Sequence, residues 1–356
     1  MAAARPRFDA DAASDRAESD WDGLVSLAAV PPFAHSGWVA PWSAMVGRRL
    51  EVMVVRRDGR PVAALPMIRR GGGVASAADW HVPVLEAAAV DADALDTLAR
   101  TITAGRRRVI VDFCDAHGAT AATFRRVLTA EGFIVRERVR MCSPYIELAG
   151  DGARERFHGS LGAKKRRELR RRLRRLEEEG DVEITIEDGS ADLSRLLDEG
   201  FAVEGSGWKG AAGTAIRSHR RVDRFYREVA RWASGQGWLR LSFLRVDGRA
   251  IAFDLSIVAG NTEWLLKTGY SPAWARYAPG SLLRAAAIER AFAQGLASYE
   301  FAGSAEPWKL EWTSTCRDIV VIDGFAPTPA GRTLLIGARV ARRIRTLGKG
   351  GGSWRW

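Results

Sequence analysis

The segment from Trp264 to Lys309 constrains this chain most. It reads in order as a strand, a Gly/Pro-rich turn, a helix, a second strand and a short polar stretch. A strand that stops at a tight turn and hands over to a helix aims the first free helical N–H groups, and the positive end of the helix dipole, at whatever occupies the turn. That favours a phosphate there. Pro279 and Gly280 stand where turn meets helix. Proline pre-sets the first helical residue, and glycine lets a ligand approach the backbone. On spacing alone, the same pattern also fits a plain strand-to-helix connection.

The 356 residues point to two domains, and 47% hydrophobic content is enough for a sizeable core. No apolar run approaches the roughly 18–20 residues needed to span a bilayer. The N-terminal residues contain no apolar core of a secretory signal, so a cytoplasmic protein is expected. Cys114, Cys142 and Cys316 lie far apart without CxxC or CxxH spacing, which argues against both a structural zinc site and a disulfide framework. The five histidines show no metal-ligand spacing, and neither GxSxG nor a P-loop occurs, so no metal is expected. The net charge of +11 favours polyanionic partners: nucleic acid, an anionic membrane or phosphorylated ligands.

Along the chain, residues 1–20 are polar and Ala-rich and read as disordered. Residues 21–150 read as a first α/β domain, 151–330 as a second, and 331–356 as a basic helix and tail. The runs VVRRDGRPVAALPMI and FLRVDGRAIAFDLSI share the order strand, Asp-Gly turn, Arg, strand. This either marks a duplicated domain or reflects common hairpin chemistry. Residues 164–175 hold nine Lys/Arg and one Glu, with Leu169, Leu173 and Leu176 at helical spacing. This helix is either a docking face for phosphates or a solvated face with Arg–Glu pairs. The segment 332–349 is basic and amphipathic; it either lies on an anionic membrane or packs on its own domain.

Several residues could carry chemistry. Glu204, Trp208 and Lys209 share a Gly-flanked loop, where Glu204 is either a general base or a helix-end residue facing water. Glu306, Trp308 and Lys309 repeat that trio, and Lys309 could steady developing negative charge. Asp254, inside the apolar run AIAFDLSIV, is either paired in the core or aimed into a cleft as a base. Tyr270 and Tyr277 flank the turn as proton donors or as packing residues.

These residues resemble the CelD/BcsL family of GNAT-type acyltransferases, which is similar in turn to the FemABX peptidyltransferases. The match rests on KKRRELRRRLRRLEEEG before a strand, the SGWKG loop, FYREVARWASGQGWLRLSFLRVDGRAIAFDLSI, KTGYSPAWARYAPGSLL and EPWKLEW. It covers roughly 150–325 well and the first half loosely. The resemblance implies an α/β (α+β) fold of tandem GNAT-like domains with mixed central sheets flanked by helices, and acetyl-CoA or another acyl-CoA bound in the second. The cofactor diphosphate would sit on Arg276, Tyr277, Ala278, Pro279, Gly280 and Ser281, and strand amides at Leu265–Lys267 would polarise the thioester. The loop RYAPGS keeps a single glycine where such phosphate loops usually carry more. Catalytic roles would fall to Glu204, Asp254, Tyr270 and Lys309, and acceptor binding to Trp208, Lys209, Glu306 and Trp308. The acceptor implied is a small molecule or saccharide of cell-envelope or polysaccharide chemistry. The alternatives are aminoacyl transfer from charged tRNA, as in FemABX proteins, and a non-catalytic binder of RNA or an anionic membrane through 164–175 and 332–349, at the inner membrane surface.

Overall fold

A computed structural model describes residues 8–13 and 18–347 of the chain. In chain order the elements are β1 (Phe8–Ala13), α1 (Glu18–Leu27), α2 (Ser36–Val46), β2 (Leu50–Arg57), β3 (Arg60–Arg70), β4 (Gly73–Ser76), β5 (Ala88–Ala89), α3 (Ala92–Thr103), β6 (Arg108–Asp115), α4 (Ala119–Ala130) and β7 (Ile134–Glu147). The second half continues with α5 (Ala153–Glu177), β8 (Val182–Glu187), α6 (Leu193–Gly205), α7 (Trp208–Ala211), α8 (Arg220–Gly235), β9 (Leu239–Val246), β10 (Arg249–Ala259), β11 (Thr262–Tyr270), α9 (Pro279–Ala293), β12 (Ser298–Glu300), α10 (Pro307–Leu310), β13 (Cys316–Phe325) and α11 (Pro329–Leu347). Among the described residues, no helix is long and apolar enough to cross a membrane.

The chain forms two units, each assembled from separated stretches of sequence. Among the described residues, the first holds 8–13, 18–36, 48–140 and 319–347; the second holds 37–47 and 141–318. In the first unit the strand order is β1-β2-β3-β4-β6-β13. β2, β3 and β4 form an antiparallel meander, and β6, reached through α3, lies parallel to β4. In the second unit the order is β8-β9-β10-β11-β12-β7. Here β8 to β11 form the meander, and β12, reached through α9, lies parallel to β11. The repeat extends to turn chemistry. Asp58-Gly59 and Asp247-Gly248 both take left-handed φ at both turn positions, 53° and 77° in one hairpin and 48° and 75° in the other.

Two local readings change. Phe8–Ala13, within the stretch expected to be disordered, pairs antiparallel with β2. Cys142 and Cys316, 174 residues apart, are joined by a disulfide, with Cα atoms 5.5 Å apart. Spacing rules detect local clusters and miss a pair of distant strands brought together by the fold, so the argument from spacing against a disulfide does not hold.

β10 explains how the second core is built. It is buried along almost its whole length, because α6 covers one face and α9 the other. A strand covered on both faces reads as one continuous apolar run. Phe253 points towards α6, where a Cβ on Gly200 would sit 2.3 Å from its ring. Asp254, the next residue, points the other way, towards α9.

Candidate active site

The site begins with a parting of two strands. β11 and β12 pair only from Thr262↔Ser298 to Trp264↔Glu300. Beyond that, β12 ends and Phe301 N–H donates instead to Pro144 O, while β11 runs on to Tyr270 against β10. One edge of β11 therefore loses its strand partner from Leu265 onwards. The β10 register also slips here: Leu255 faces Lys267 and Ser256 faces Leu265, so Leu266 is an extra residue on β11. A bulge of this kind re-aims backbone groups and recurs beside active sites.

On one face of β11 stand Lys267 and Gly269. A Cβ on Gly269 would lie 2.4 Å from Glu204 Cα, so only glycine admits the helix α6 backbone here. Glu204 is buried, which excludes the helix-end residue facing water. Its Oε2 accepts from Ile216 N–H at 3.0 Å and its Oε1 lies 3.4 Å from Lys209 Nζ. Lys209 Nζ donates to Thr268 O at 2.7 Å, which ties α7 to the free edge of β11. Lys267 Nζ lies over the Tyr226 ring at 5.0 Å. Burial, followed by the Lys209 charge and then that of Lys309, pushes the Lys267 ammonium down to about 8; Glu204 and Glu306 act against this. Trp208 opens α7, and its side chain lies outside the described residues.

Lys309 closes the site on the β12 side. Nζ donates to Ala302 O at 2.6 Å and Ser304 O at 3.0 Å, and lies 3.4 Å from Glu306 Oε2. It thereby holds the loop that carries β12 away, in which Ala302 and Gly303 take φ of 47° and 71°. Burial outweighs the Glu306 charge and pushes Lys309 down to about 8. With its three N–H donors engaged, Lys309 acts first as a clip. Glu306 Oε2 also accepts from Trp308 Nε1 at 2.9 Å.

The opposite face of β11 carries Thr268, and here the expected role of Asp254 fails. Asp254 forms a two-pronged ion pair with Arg284 of α9, at 2.7 and 2.8 Å. Arg284 further donates to Tyr299 Oη at 2.6 Å and Thr268 Oγ1 at 3.1 Å. Burial disfavours the guanidinium charge, but Asp254 and Tyr299 outweigh it and hold Arg284 above its ordinary value. Asp254 is thus the buried counter-ion of a strut that touches β10, β11 and β12, and not a base aimed into a cleft. Arg284, Tyr299, Thr268 and Tyr226 were not singled out from the sequence. The one available signal was a charged residue in each of two otherwise apolar elements, AIAFDLSIV and LLRAAAI.

The turn after β11 brings in the remaining residues. Pro272–Tyr277 forms a 3₁₀ turn, Ala278 takes a left-handed φ of 50°, and α9 starts at Pro279. Pro279 has no N–H, and the amides of Ser281 and Leu282 both return to Ala278 O, at 2.9 and 3.1 Å. Gly280 supplies the remaining amide of this first turn. The half-exposed Tyr270 ring lies 3.5 Å from where a Gly280 Cβ would stand. Tyr277 turns away: it is buried with Leu176, Leu282 and Leu283, and its hydroxyl donates to Glu179 Oε1. Burial and the Glu179 carboxylate raise its phenol, so it keeps its proton in the core. Arg276 also points to Glu179, at 3.3 Å. Neither side chain faces the parted strands; Glu204, Lys209, Lys267 and Lys309 converge there, with Glu306 and Trp308 beside Lys309.

Comparison with known proteins adds the class of fold. Residues 163–310, which hold all of these groups, match the family model described as an acetyltransferase (GNAT) domain. Similar solved structures include FemX, with a TM-score of 0.61 at 12% identity over 88% of this chain and 96% of that one. The C-terminal domain (DUF2156) of a protein described as a lysylphosphatidylglycerol synthetase from Agrobacterium fabrum gives 0.56 at 12% identity, over 91% and 95% of the two chains. L-PGS from Bacillus licheniformis gives 0.50 at 12% identity, over 92% and 97%. These likenesses concern the fold, which is the expected mixed α/β architecture of GNAT-like units with helices flanking the sheets. No curated protein sequence matches the chain.

Proposed function

We propose that the second unit is an acyl-CoA-dependent N- or O-acyltransferase working by direct transfer. The observation that carries this reading is the parting of β11 from β12 after Trp264, with the extra residue Leu266 at the point of parting. Edge amides around Leu265–Lys267 would meet the thioester carbonyl and stabilise the tetrahedral oxyanion. The turn Ala278–Ser281, at the head of the 15-residue helix α9, suits the diphosphate through the Gly280 amide and the helix dipole. The acceptor amine or hydroxyl attacks the carbonyl carbon, the oxyanion collapses, and the C–S bond breaks. With Asp254 committed to Arg284, Glu204 would take the acceptor's proton, and Tyr270 would protonate the departing thiolate. Holding donor and acceptor in one cleft supplies much of the rate. The resemblance to the CelD/BcsL family supports an acceptor from cell-envelope or polysaccharide chemistry, with the reaction at the cytoplasmic side. Calorimetric titration with acetyl-CoA tests the reading. Saturable binding, weakened at least about tenfold (about 1.4 kcal/mol) by Gly280→Glu, is expected; no heat from folded protein at millimolar ligand refutes it.

A second donor, an aminoacyl-tRNA, draws support from α5 and from the resemblance to FemABX proteins. Lys164, Arg166, Arg167, Arg170, Arg174 and Arg175 are exposed, and among the described residues none of them is ion-paired, whereas Arg171 and Arg172 pair with Glu168. Binding of tRNA that weakens steeply with salt, together with no response to acetyl-CoA, would select this donor.

A further inference from the structure

Lys267 is the one lysine beside the parted strands without an anionic or hydrogen-bonding partner among the described residues; Nζ meets the Tyr226 ring. Its charged neighbours are Lys209 and Lys309 on the same sign, and Glu204 and Glu306 on the other. Each carboxylate is ion-paired with a lysine other than Lys267. Glu204 holds Ile216 N–H and Lys209, and Glu306 holds Trp308 Nε1 and Lys309. Arg284, the remaining cation near Lys309, is spent on Asp254. Three ammonium groups against two carboxylates leave one positive charge uncompensated beside the unpaired edge of β11. A half-buried ammonium in this setting is costly until an opposite charge joins it.

We propose that the acceptor carries a carboxylate or phosphate group, seated on Lys267 Nζ with Lys209 beside it. The proposal rests on the acyl-transfer reading and names the acceptor's chemical class. Lys267 and Lys209 bind and orient the anion, while Lys309, with its donors engaged, shapes the wall. An anion seated there places the acceptor's nucleophile along β11, on the face shared with Glu204.

The test is reductive methylation of lysines at about pH 7, read residue by residue by mass spectrometry, at constant ionic strength. Methylation needs the free amine, and an anion on Lys267 raises its pKa. A rise of one unit slows labelling about tenfold. The probes are inorganic phosphate and acetate, each against chloride. Selective slowing at Lys267, with exposed Lys164 unchanged and the protection reduced in Lys209→Met, supports the seat. Slowing by phosphate alone marks a phosphate-bearing acceptor, slowing by acetate alone a carboxylate-bearing one, and slowing by both an anion seat open to either. Equal labelling in all three salts overturns the proposal. Acetyl-CoA calorimetry on the same sample separates the two ideas. Binding of acetyl-CoA without anion protection sinks the seat alone, and protection without binding of acetyl-CoA sinks the donor reading.

Discussion

Replacing Asp254 with Ala tests whether this carboxylate is a strut or a base. Its two oxygens meet Arg284 at 2.7 and 2.8 Å, and both side chains are 2% exposed. Removing one partner of a buried pair leaves the other charge uncompensated, at a cost of about 3–5 kcal/mol. Arg284 keeps Tyr299 and Thr268, but both are neutral, and Tyr299 holds its proton because burial raises its phenol far above the ordinary range. With a urea dependence of about 3 kcal/mol per molar, the unfolding midpoint should fall by roughly 1–1.7 M. The double replacement Asp254→Leu with Arg284→Met removes both charges. Its remaining loss is the hydrogen bonds to Tyr299 and Thr268, about 1–2 kcal/mol. The two single costs should therefore exceed the double cost by at least about 2 kcal/mol. Tryptophan fluorescence in urea of the wild type, Asp254→Leu, Arg284→Met and the double variant gives the cycle. An Asp254→Ala protein that unfolds at the wild-type midpoint refutes the buried pair; if it is also inactive, Asp254 is a base after all.

Three further outcomes follow from the same geometry. Gly269→Ala drives a methyl into the α6 backbone at 2.4 Å, so thermal unfolding should report a loss of about 1–3 kcal/mol, and an unchanged melting temperature would mean α6 does not lie against β11. Lys309 releases its proton near 8 in the fold but near 10.5 when unfolded. The unfolded chain then binds more protons between those values, so stability should rise with pH across that window, by at most about 3 kcal/mol from this residue. Below pH 8 the penalty is fully present and constant; Lys309→Met should flatten the rise of urea midpoints between about 8 and 10.5, and a slope there identical to wild type would contradict it. Tyr277→Phe should cost about 1 kcal/mol through the lost bond to Glu179 and leave acetyl-CoA affinity unchanged, whereas loss of transfer activity in a stable Tyr277→Phe protein would return Tyr277 to the chemistry.

Much of the second unit was legible because local signals carried it. The Asp-Gly turns, the two-sided apolar run of β10 and the Pro279–Gly280 helix start each follow from backbone preferences acting over a few residues. Lys209, Lys309 and Glu204 stood out as polar groups in Gly-rich or aromatic surroundings, whereas Lys267 entered only as the end of a run of strand amides, its ammonium unnoticed. Their roles were another matter. Asp254 has the same sequence context whether it meets Arg284 or a cleft, and Tyr277 lies seven residues from Tyr270 yet faces the core.

By itself, the order of residues determined the hairpins, the helix faces and the excess of cationic side chains, since each depends on neighbours within a turn or two. The fold alone decided that β12 leaves β11 at Trp264 and that Leu266 is surplus to the pairing. It also decided that residues 319–325 belong to the first unit while 37–47 belong to the second, and that Cys142 meets Cys316. Those facts depend on which distant segments compete for one strand edge, a comparison of packing energies that no short window of sequence contains.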